Sequence, residues 1–364
     1  MRDGIVIMDV PIESVKVTVA RNGAQRRVCT VKTTQTPATL TALTNWQNPF
    51  APAGNEIRPW FVLQYPNGTT EEVPLFTGPI ITTTVIDTGV DLVVEMQASD
   101  RSYLLQESKL LQPYTAAADQ SLDEAIASMC QFAWTGRGTL PIAIQPTTAL
   151  VPSTGWVVKA GKNIWAVAQE IGASAGYEVY FDAWGTLSGN PIPDPTTRSP
   201  VWATGGQISG LKLATLKATR KKVYSVMGVV GTGSELVADK KGILRSKHVP
   251  IYGQAQVTDP SSPINPNTGF GVVGNLVRIV TVTSAEQAQT IAANALTLQV
   301  GHFAELGIGA IPNPALDVDD VVAISAPRLG VQGNFVVDGW DFTMSALGVP
   351  TMNLTIRPVG QSSS

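Results

Sequence analysis

The chain has 364 residues, of which 44% are hydrophobic and only 15% are charged, against roughly 25% charged in an average soluble domain. Its formal net charge of −3 excludes a globally basic nucleic-acid-binding protein. The 33 glycines and 25 prolines indicate many turns and favour β-structure. The length allows two or three domains with buried cores, and the low charge predicts a surface that partners cover in an assembly.

Few side chains could hold a metal or form disulfides. Cys29 and Cys130 are too few for a disulfide framework or a four-ligand zinc site, and His248 and His302 are the only histidines. The long uncharged segment 138–158 contains three prolines and cannot form a spanning helix. The N-terminal apolar run is too short for a signal peptide. The sequence therefore predicts no metal, no cofactor, no export signal and no membrane-spanning segment.

Residues 1–115 are predicted to form an N-terminal β-barrel domain. Apolar and polar residues alternate in several short runs, and Asn-Gly or Thr-Gly pairs separate these runs. Short, regularly spaced strands of this kind are typical of small barrels and sandwiches. A long loop containing Pro and Trp covers residues 45–59. The predicted strands cover residues 15–19, 60–65, 80–86 and 90–97.

Residues 116–205 are predicted to form a small α/β module with a Pro-rich linker. Ser121 and Glu124 match a capping box at the start of a helix. A second helix is followed by Gly176, at the position where a left-handed residue commonly ends a helix. The predicted elements are the helix from residue 121, a helix over 162–175, a strand over 177–181, a tight turn over 182–185 and the linker over 191–200.

Residues 206–364 are predicted to form a C-terminal β-barrel domain with one helix. Ser284 and Gln287 are placed to cap this helix. The loop over 259–274 is rich in Pro, Asn and Gly, and it is predicted to project as a long hairpin tip. The predicted buried face of the helix consists of Ala288, Ile291, Ala295 and Leu298. The predicted strands cover residues 223–230, 276–283, 320–325, 334–342 and 352–357.

Three short motifs resemble functional sites but occur in the wrong structural context. Ser174 lies in a Gly-x-Ser-x-Gly pattern, yet a helix enters it and a strand leaves, the reverse of a nucleophile elbow. The Gly-x-Gly-x-x-Gly pattern over 269–274 opens onto a strand instead of a helix, which favours a flexible loop over a dinucleotide site. Asp317, Asp319 and Asp320 lead directly into a strand, so we expect them to cap a turn and not to bind calcium.

Basic residues are concentrated between residues 210 and 248, where nine basic residues accompany only two acidic ones. This segment could contact phosphates, an acidic protein ring or only solvent. Tyr224 is the one aromatic residue within it that could stack on a base, which makes single-strand binding a weak interpretation. A solvated or subunit-facing surface is favoured, and whether the segment meets protein or nucleic acid stays open.

Two parts of the sequence resemble phage tail hub proteins. Residues 163–187 are similar to the family's helix, strand and Asp-x-x-Gly turn, here Asp182 to Gly185. The run from Thr219 through the helix at 284–296 to the segment 313–322 is similar to the family's second barrel. In that family, one helix precedes a strand that begins with Asp-Val-Val. The resemblance covers about residues 120–360.

The resemblance implies a mainly β protein with two small tube-like β-barrels and an α/β insert. It implies a non-enzymatic hub protein of a tail tip or baseplate, located in the virion tail and assembled in the host cytoplasm. Three copies would form a ring that adapts the six-fold tail tube to a three-fold tip. The implied partners are the tail-tube or distal tail protein, the tape-measure protein and tip or receptor-binding proteins, with DNA only passing through the channel.

Two other classes of function remain open at this point. Ser174 could serve a serine hydrolase, and two carboxylates about 5–10 Å apart could serve a glycan hydrolase, although no pair is singled out. Alternatively, Trp46 and Trp60 could stack on sugars in a module that binds host glycans, although tryptophan is more often part of a core.

Overall fold

The structure of the chain is a computed structural model. It describes residues 1, 5–21, 23–35, 43, 45, 47–134, 137–151, 156–205, 211–238, 244–279, 282, 284–299 and 304–359. The helices are α1 (Ser102–Glu107), α2 (Leu122–Ala133), α3 (Ile164–Ser174) and α4 (Ala285–Gln299). The strands are β1 (Ser14–Ala20), β2 (Arg27–Gln35), β3 (Glu56–Ile57), β4 (Trp60–Gln64), β5 (Thr70–Pro74), β6 (Gly78–Asp87), β7 (Leu92–Ser99), β8 (Tyr114–Ala116), β9 (Ile142–Ile144), β10 (Trp156–Val158), β11 (Tyr177–Phe181), β12 (Leu187–Pro191), β13 (Trp202–Gly205), β14 (Leu211–Ala218), β15 (Val226–Ala238), β16 (Leu244–Gln256), β17 (Gly274–Arg278), β18 (Ala304–Ala310), β19 (Val321–Ala326), β20 (Val331–Ser345) and β21 (Thr351–Pro358).

An 11-stranded sheet joins strands from both ends of the sequence. Its order is β14-β18-β21-β20-β1-β2-β7-β6-β3, and β19 and β13 continue from β20. β1 pairs antiparallel with β2 on one side and with β20 on the other, so that Val17 lies opposite both Cys29 and Phe342. Val15, Val17 and Val19 are buried, as the alternation along this strand predicts.

The mainly β class with an α/β insert is confirmed, but the two closed barrels are not. Within the described residues, no sheet closes on itself. The physical reason is the double pairing of β1, which uses both of its edges and links the strands of 1–115 to those of 206–364. Each set therefore continues into the other and does not return to its own first strand. The division at residues 115 and 205 stays a prediction.

The α/β module follows its predicted elements closely. α2 and α3 pack against each other and against the sheet β11-β12-β9, around a separate apolar core. Asn163 begins α3, and its side-chain oxygen accepts a hydrogen bond from the amide of Ala166 at 2.9 Å. Gly176 follows the helix with φ +74°, as its C-terminal position predicts. Ser121 precedes α2, but its side chain makes no capping hydrogen bond.

A long hairpin and α4 form the third part of the structure. β15 pairs with β16 over 13 residues, while β17 pairs in parallel with only the first part of β15. The projecting loop predicted over 259–274 is wrong, because Ile264 and Phe270 are buried in a core beneath α4. A parallel partner requires a crossover connection, and this segment supplies it by covering that core.

α4 begins as predicted, with the Ser284 hydroxyl accepting a hydrogen bond from the Gln287 amide at 3.1 Å. Ala288 and Ile291 are buried as predicted, but Ala292 and Leu296 complete the buried face in place of Ala295 and Leu298. The helix is therefore rotated slightly from the predicted orientation.

Gly253 in β16 lets α4 lie directly on the hairpin. A Cβ atom at this position would come within 2.2 Å of the Ala288 carbonyl carbon and 2.3 Å of the Gln289 amide nitrogen. We expect Gly253→Ala to push α4 off the strand and to lower the free energy of unfolding by about 1–3 kcal/mol. Urea denaturation measures this change.

Gly269 provides the matched control, since no atom lies within 4 Å of the Cβ that Gly269→Ala would add. An equal loss of stability in both variants would contradict the close packing of α4 on β16.

Candidate functional site at the junction of the sheet and the α/β module

A buried cluster of charged residues lies where the α/β module meets the large sheet. Five segments supply it: the turn between β1 and β2 with the first residue of β2, the start of β11, the turn before β19, the centre of β20 and the end of β21. The turns and a bulge in the sheet point these side chains inward. The basic members are Arg21, Arg26, Arg27 and Arg357, and the acidic members are Glu178, Asp317, Asp319 and Asp338.

Two arginines connect the sheet to the α/β module. Arg26 Nη1 lies 3.2 Å from Glu178 Oε1, and the Arg26 guanidinium stacks 3.8 Å from the ring centre of Tyr180. Arg21 Nε lies 3.7 Å from the same Glu178 oxygen, and Arg21 also pairs with Asp319. Because Glu178 and Tyr180 both belong to β11, these contacts fix the module against the β1–β2 turn.

Two further ion pairs hold the surrounding strands. Arg27 Nη2 lies 2.6 Å from Asp317 Oδ2, and its amide donates to Asp100 at 2.8 Å. Arg357 Nε donates to Asp338 Oδ1 at 2.9 Å. Every arginine of the cluster has a side chain that is 8% exposed or less, so salt screens these pairs less than it screens ion pairs on the surface.

Glu178 and Asp319 titrate differently although they share Arg21. Burial raises the pKa of Asp319 to about 7, with Arg21 opposing this shift and Glu178 adding to it. Burial also opposes ionisation of Glu178, but Arg26 and Arg21 outweigh that effect and lower the pKa of Glu178. The pair therefore retains one proton on Asp319 at mildly acidic pH, while Glu178 carries the negative charge.

The cluster joins parts of the chain and does not present its carboxylates to a substrate. Its carboxylates face arginines and not a wide cleft, since the adjoining cavity, which Arg26 and Glu178 line, measures only about 170 Å³. Within the described ranges, no three His, Cys, Asp or Glu side chains converge as metal ligands. The arrangement can hold the module at a fixed orientation and make that attachment sensitive to pH.

The serine of the hydrolase-like motif is buried. Ser174 lies in the last turn of α3, is 5% exposed, and donates its hydroxyl to the Ile171 carbonyl at 2.7 Å. Its oxygen therefore faces its own helix. The structure supports the interpretation of a helix end.

The other motifs also take structural roles. Residues 269–274 form turns that lead into β17, so no helix follows the glycines. Asp320 accepts the Asp317 amide at 2.8 Å, which confirms the capped turn before β19. Asp319 has φ +75° in that turn and points into the ion cluster.

The predicted aromatic and basic surfaces are only partly described. Trp46 lies outside the described residues, and so do the side chains of residues 232–248 in the basic segment. Trp60 is half-exposed and packs edge-on against Trp184, with ring centres 5.2 Å apart. Lys217 pairs with Glu305 at 3.4 Å on the surface.

Sequence reasoning missed Arg21, Arg26 and Arg27 as a group. They surround an Asn-Gly turn, where charged residues normally face solvent. The available signal was the density of three arginines within seven residues of a chain that has few charges. Their acidic partners are about 150 and 300 positions away, and sequence spacing does not reveal such pairing.

At the sequence level, no protein family model and no curated protein matches the chain. Its fold nevertheless matches solved structures over nearly its full length. The tail protein from Neisseria meningitidis MC58 has a TM-score of 0.62 and 10% identity, with 95% of this chain and 92% of that chain covered. The 43 kDa tail protein of prophage MuSo2 from Shewanella oneidensis has a TM-score of 0.60 and 10% identity, with coverage of 96% and 95%.

A further structural neighbour is an E. coli protein described as a type VI secretion component with structural similarity to the T4 tail proteins gp27 and gp5. It has a TM-score of 0.51 and 9% identity, with 98% of this chain and 76% of that chain covered. The fold is thus shared with tail proteins and with a type VI secretion component, which confirms the resemblance at the level of the fold. No helix in the described part of the chain is long and apolar enough to cross a bilayer.

Removal of one arginine tests the energetic role of the cluster. We expect Arg26→Met to lower the free energy of unfolding by about 1.5–3 kcal/mol, because the half-buried Glu178 loses the nearer of its two arginine partners. Lys32→Met is the control, since Lys32 and Glu95 form a 2.9 Å pair on the surface. That variant loses less than about 1 kcal/mol. Similar losses in the two variants, measured by urea denaturation, would contradict a buried network.

The raised pKa of Asp319 makes the stability depend on pH. The unfolded chain releases this proton near pH 4, whereas the folded chain keeps it to about pH 7. Between these values the folded state binds more protons, so this group makes the protein less stable as pH rises, by up to about 1.4 kcal/mol per pH unit.

We therefore expect Asp319→Asn to flatten the decline of the unfolding free energy between pH 4 and 7, as measured by urea denaturation at successive pH values. Asp9→Asn, at an exposed position, leaves the wild-type curve unchanged. Parallel curves for wild type and Asp319→Asn would show that Asp319 titrates normally.

Proposed function

We propose that the chain is a structural hub protein at the tail tip or baseplate of a tailed bacteriophage, located in the virion tail. Three copies form a ring that adapts the six-fold tail tube to a three-fold tip and leaves a central channel for DNA and the tape-measure protein. The tail-tube or distal tail protein and the tip or receptor-binding proteins are its neighbours. The role is structural and not enzymatic.

The observation that carries this proposal is the extent of the structural match. Two tail proteins share the fold over at least 92% of both chains, so the likeness involves the whole architecture and not one common module. A shared fold by itself does not determine function. Here, however, two of the structural neighbours are tail proteins, and a third is a secretion-system protein described as structurally similar to tail proteins. This agreement supports a role in a tail assembly.

The large sheet consists of two sets of strands. This division supports the proposal that each copy contributes two sheet segments to the ring. Five of its strands come from residues before 100 and six from residues after 201, and β1 and β20 join the two sets. In three copies, such halves would supply six similar sheet segments around one axis. Within the described residues, the end strand β14 pairs in the sheet along one edge only, and a neighbouring subunit would cover its other edge.

An exposed apolar segment near the N-terminus supports assembly as well. It contains Ile5, Val6, Ile7, Met8 and Ile12, which are 38–69% exposed. Contiguous apolar surface of this kind usually marks a protein interface. An obligate subunit interface of roughly 2,000 Å² or more would bury it.

The hydrolase interpretations find no support at the residues that suggested them. Ser174 is buried with its hydroxyl bonded inside α3, and the clustered carboxylates are engaged by arginines.

The mass of the purified protein in solution tests the proposal. Sedimentation at micromolar concentration is expected to give a species of three times the 38.5 kDa mass of one chain. Changing Ile5 and Ile7 together to Asp places two charges in the apolar segment and shifts the population toward monomer, while circular dichroism stays unchanged. A stable wild-type monomer that forms no ring with tail-tube protein would overturn the proposal.

A further inference from the structure

A basic cleft lies on the side of the molecule where the 52–58 loop and β6 face the α/β module. It has a volume of about 970 Å³ and is open to solvent. Its walls come from the loop, the first residues of β6, α1, the end of α2 and the turn between β11 and β12. No residue of the ion cluster at the β1–β2 turn lines this cleft, so the two sites are separate.

The floor of the cleft is fixed by a buried ion pair. Arg101 donates to both carboxylate oxygens of Glu56 at 2.7 Å and to the Gly185 carbonyl at 2.7 Å. Three hydrogen bonds thereby hold Arg101 in place, and its charge balances that of Glu56. The indole of Trp134 lies against this floor, 5.7 Å from the Arg101 guanidinium.

Two further guanidiniums line the cleft above that floor. Arg58 is held by hydrogen bonds from Nε to Thr77 at 2.9 Å and from Nη2 to the Trp184 carbonyl at 3.5 Å. Arg137 is exposed and lies 5.6 Å from the Trp134 ring. Burial and the nearby Arg101 lower the pKa of Arg58, which is an electrostatic cost that a bound anion would reduce.

The lining therefore carries three guanidiniums and one carboxylate, in a chain whose net charge is −3. Arg58 and Arg137 present planar donors that suit carboxylates. The half-exposed Trp184 provides apolar surface in the same cleft.

We propose that this cleft binds an extended acidic segment of a partner protein, with two or more carboxylates paired to Arg58 and Arg137 and an apolar side chain packed on Trp184. Nucleic acid fits less well, because Trp134 is only 3% exposed and offers no face on which a base could stack. Each residue used belongs to one copy of the chain, so the cleft does not depend on the proposed trimer.

Fluorescence anisotropy with the full chain tests this binding site. The probe is a fluorescein-labelled peptide Glu-Leu-Glu-Glu-Leu-Glu, and the same peptide with Gln at each Glu position is the control. We expect saturable binding of the acidic peptide alone, weakening as salt rises. Arg58→Gln or Arg137→Gln weakens it at least about tenfold, which corresponds to the loss of one charge-assisted hydrogen bond.

Arg328→Gln is the matched control, because Arg328 is exposed on a turn outside the cleft, and it is expected to bind like wild type. Arg137→Gln keeps the test valid if Arg58→Gln fails to fold, since Arg137 is exposed. The proposal is overturned if the acidic peptide does not bind below about 1 mM, or if both cleft variants bind like wild type. It is also overturned if a dT12 oligonucleotide binds more tightly than the peptide, which would indicate a nucleic-acid site.

Discussion

The pairing of β1 on both of its edges is the constraint on which the architecture depends. Seven residues near the N-terminus form ladders with β2 and with β20, and the Thr18 hydroxyl bonds to Asp341, 323 positions away. Such a long-range closure costs chain entropy that only a large buried core can offset. Here the side chains of β1 lie in a core shared by strands from both ends of the chain. The two halves of the sheet therefore form one structural body.

The ion cluster extends this body to the α/β module. Arginines from the β1–β2 turn reach across to β11, so the same hairpin that joins the sheet also anchors the module. Burying so many charges is expensive, and replacing such a network by apolar residues is often neutral or stabilising. Its directional contacts fix one orientation of the module against the sheet. The proton held on Asp319 adds sensitivity to pH at this junction.

Local sequence patterns predicted the secondary structure well where one helix or strand has a single buried face. The alternation at Val15, Val17 and Val19 identified β1, and the Asn163 and Gly176 signals bounded α3. The patterns could not show that β1 pairs with β20, because alternation specifies a buried face and not the strands on either side. For this reason closed barrels were predicted where an open sheet exists.

The candidate site was less predictable than the fold. Asp317, Asp319 and Asp320 were singled out as turn residues, and they are, but their arginine partners lie in a distant turn. The glycine patterns at 172–176 and 269–274 were correctly rejected as functional motifs, since their chemistry requires a strand–turn–helix geometry that these two segments do not have. Likewise, Arg58, Arg101 and Arg137 are distributed over 80 positions and meet only through the packing of the module on the sheet.

Electron microscopy of an isolated tail with this chain labelled tests the central claim most directly. The account predicts three labels in a closed ring at the tip-proximal end of the tube, with six similar sheet segments facing the tube and three-fold symmetry on the opposite side. A single label at the tip, six copies in the ring, or labels along the length of the tube would contradict it.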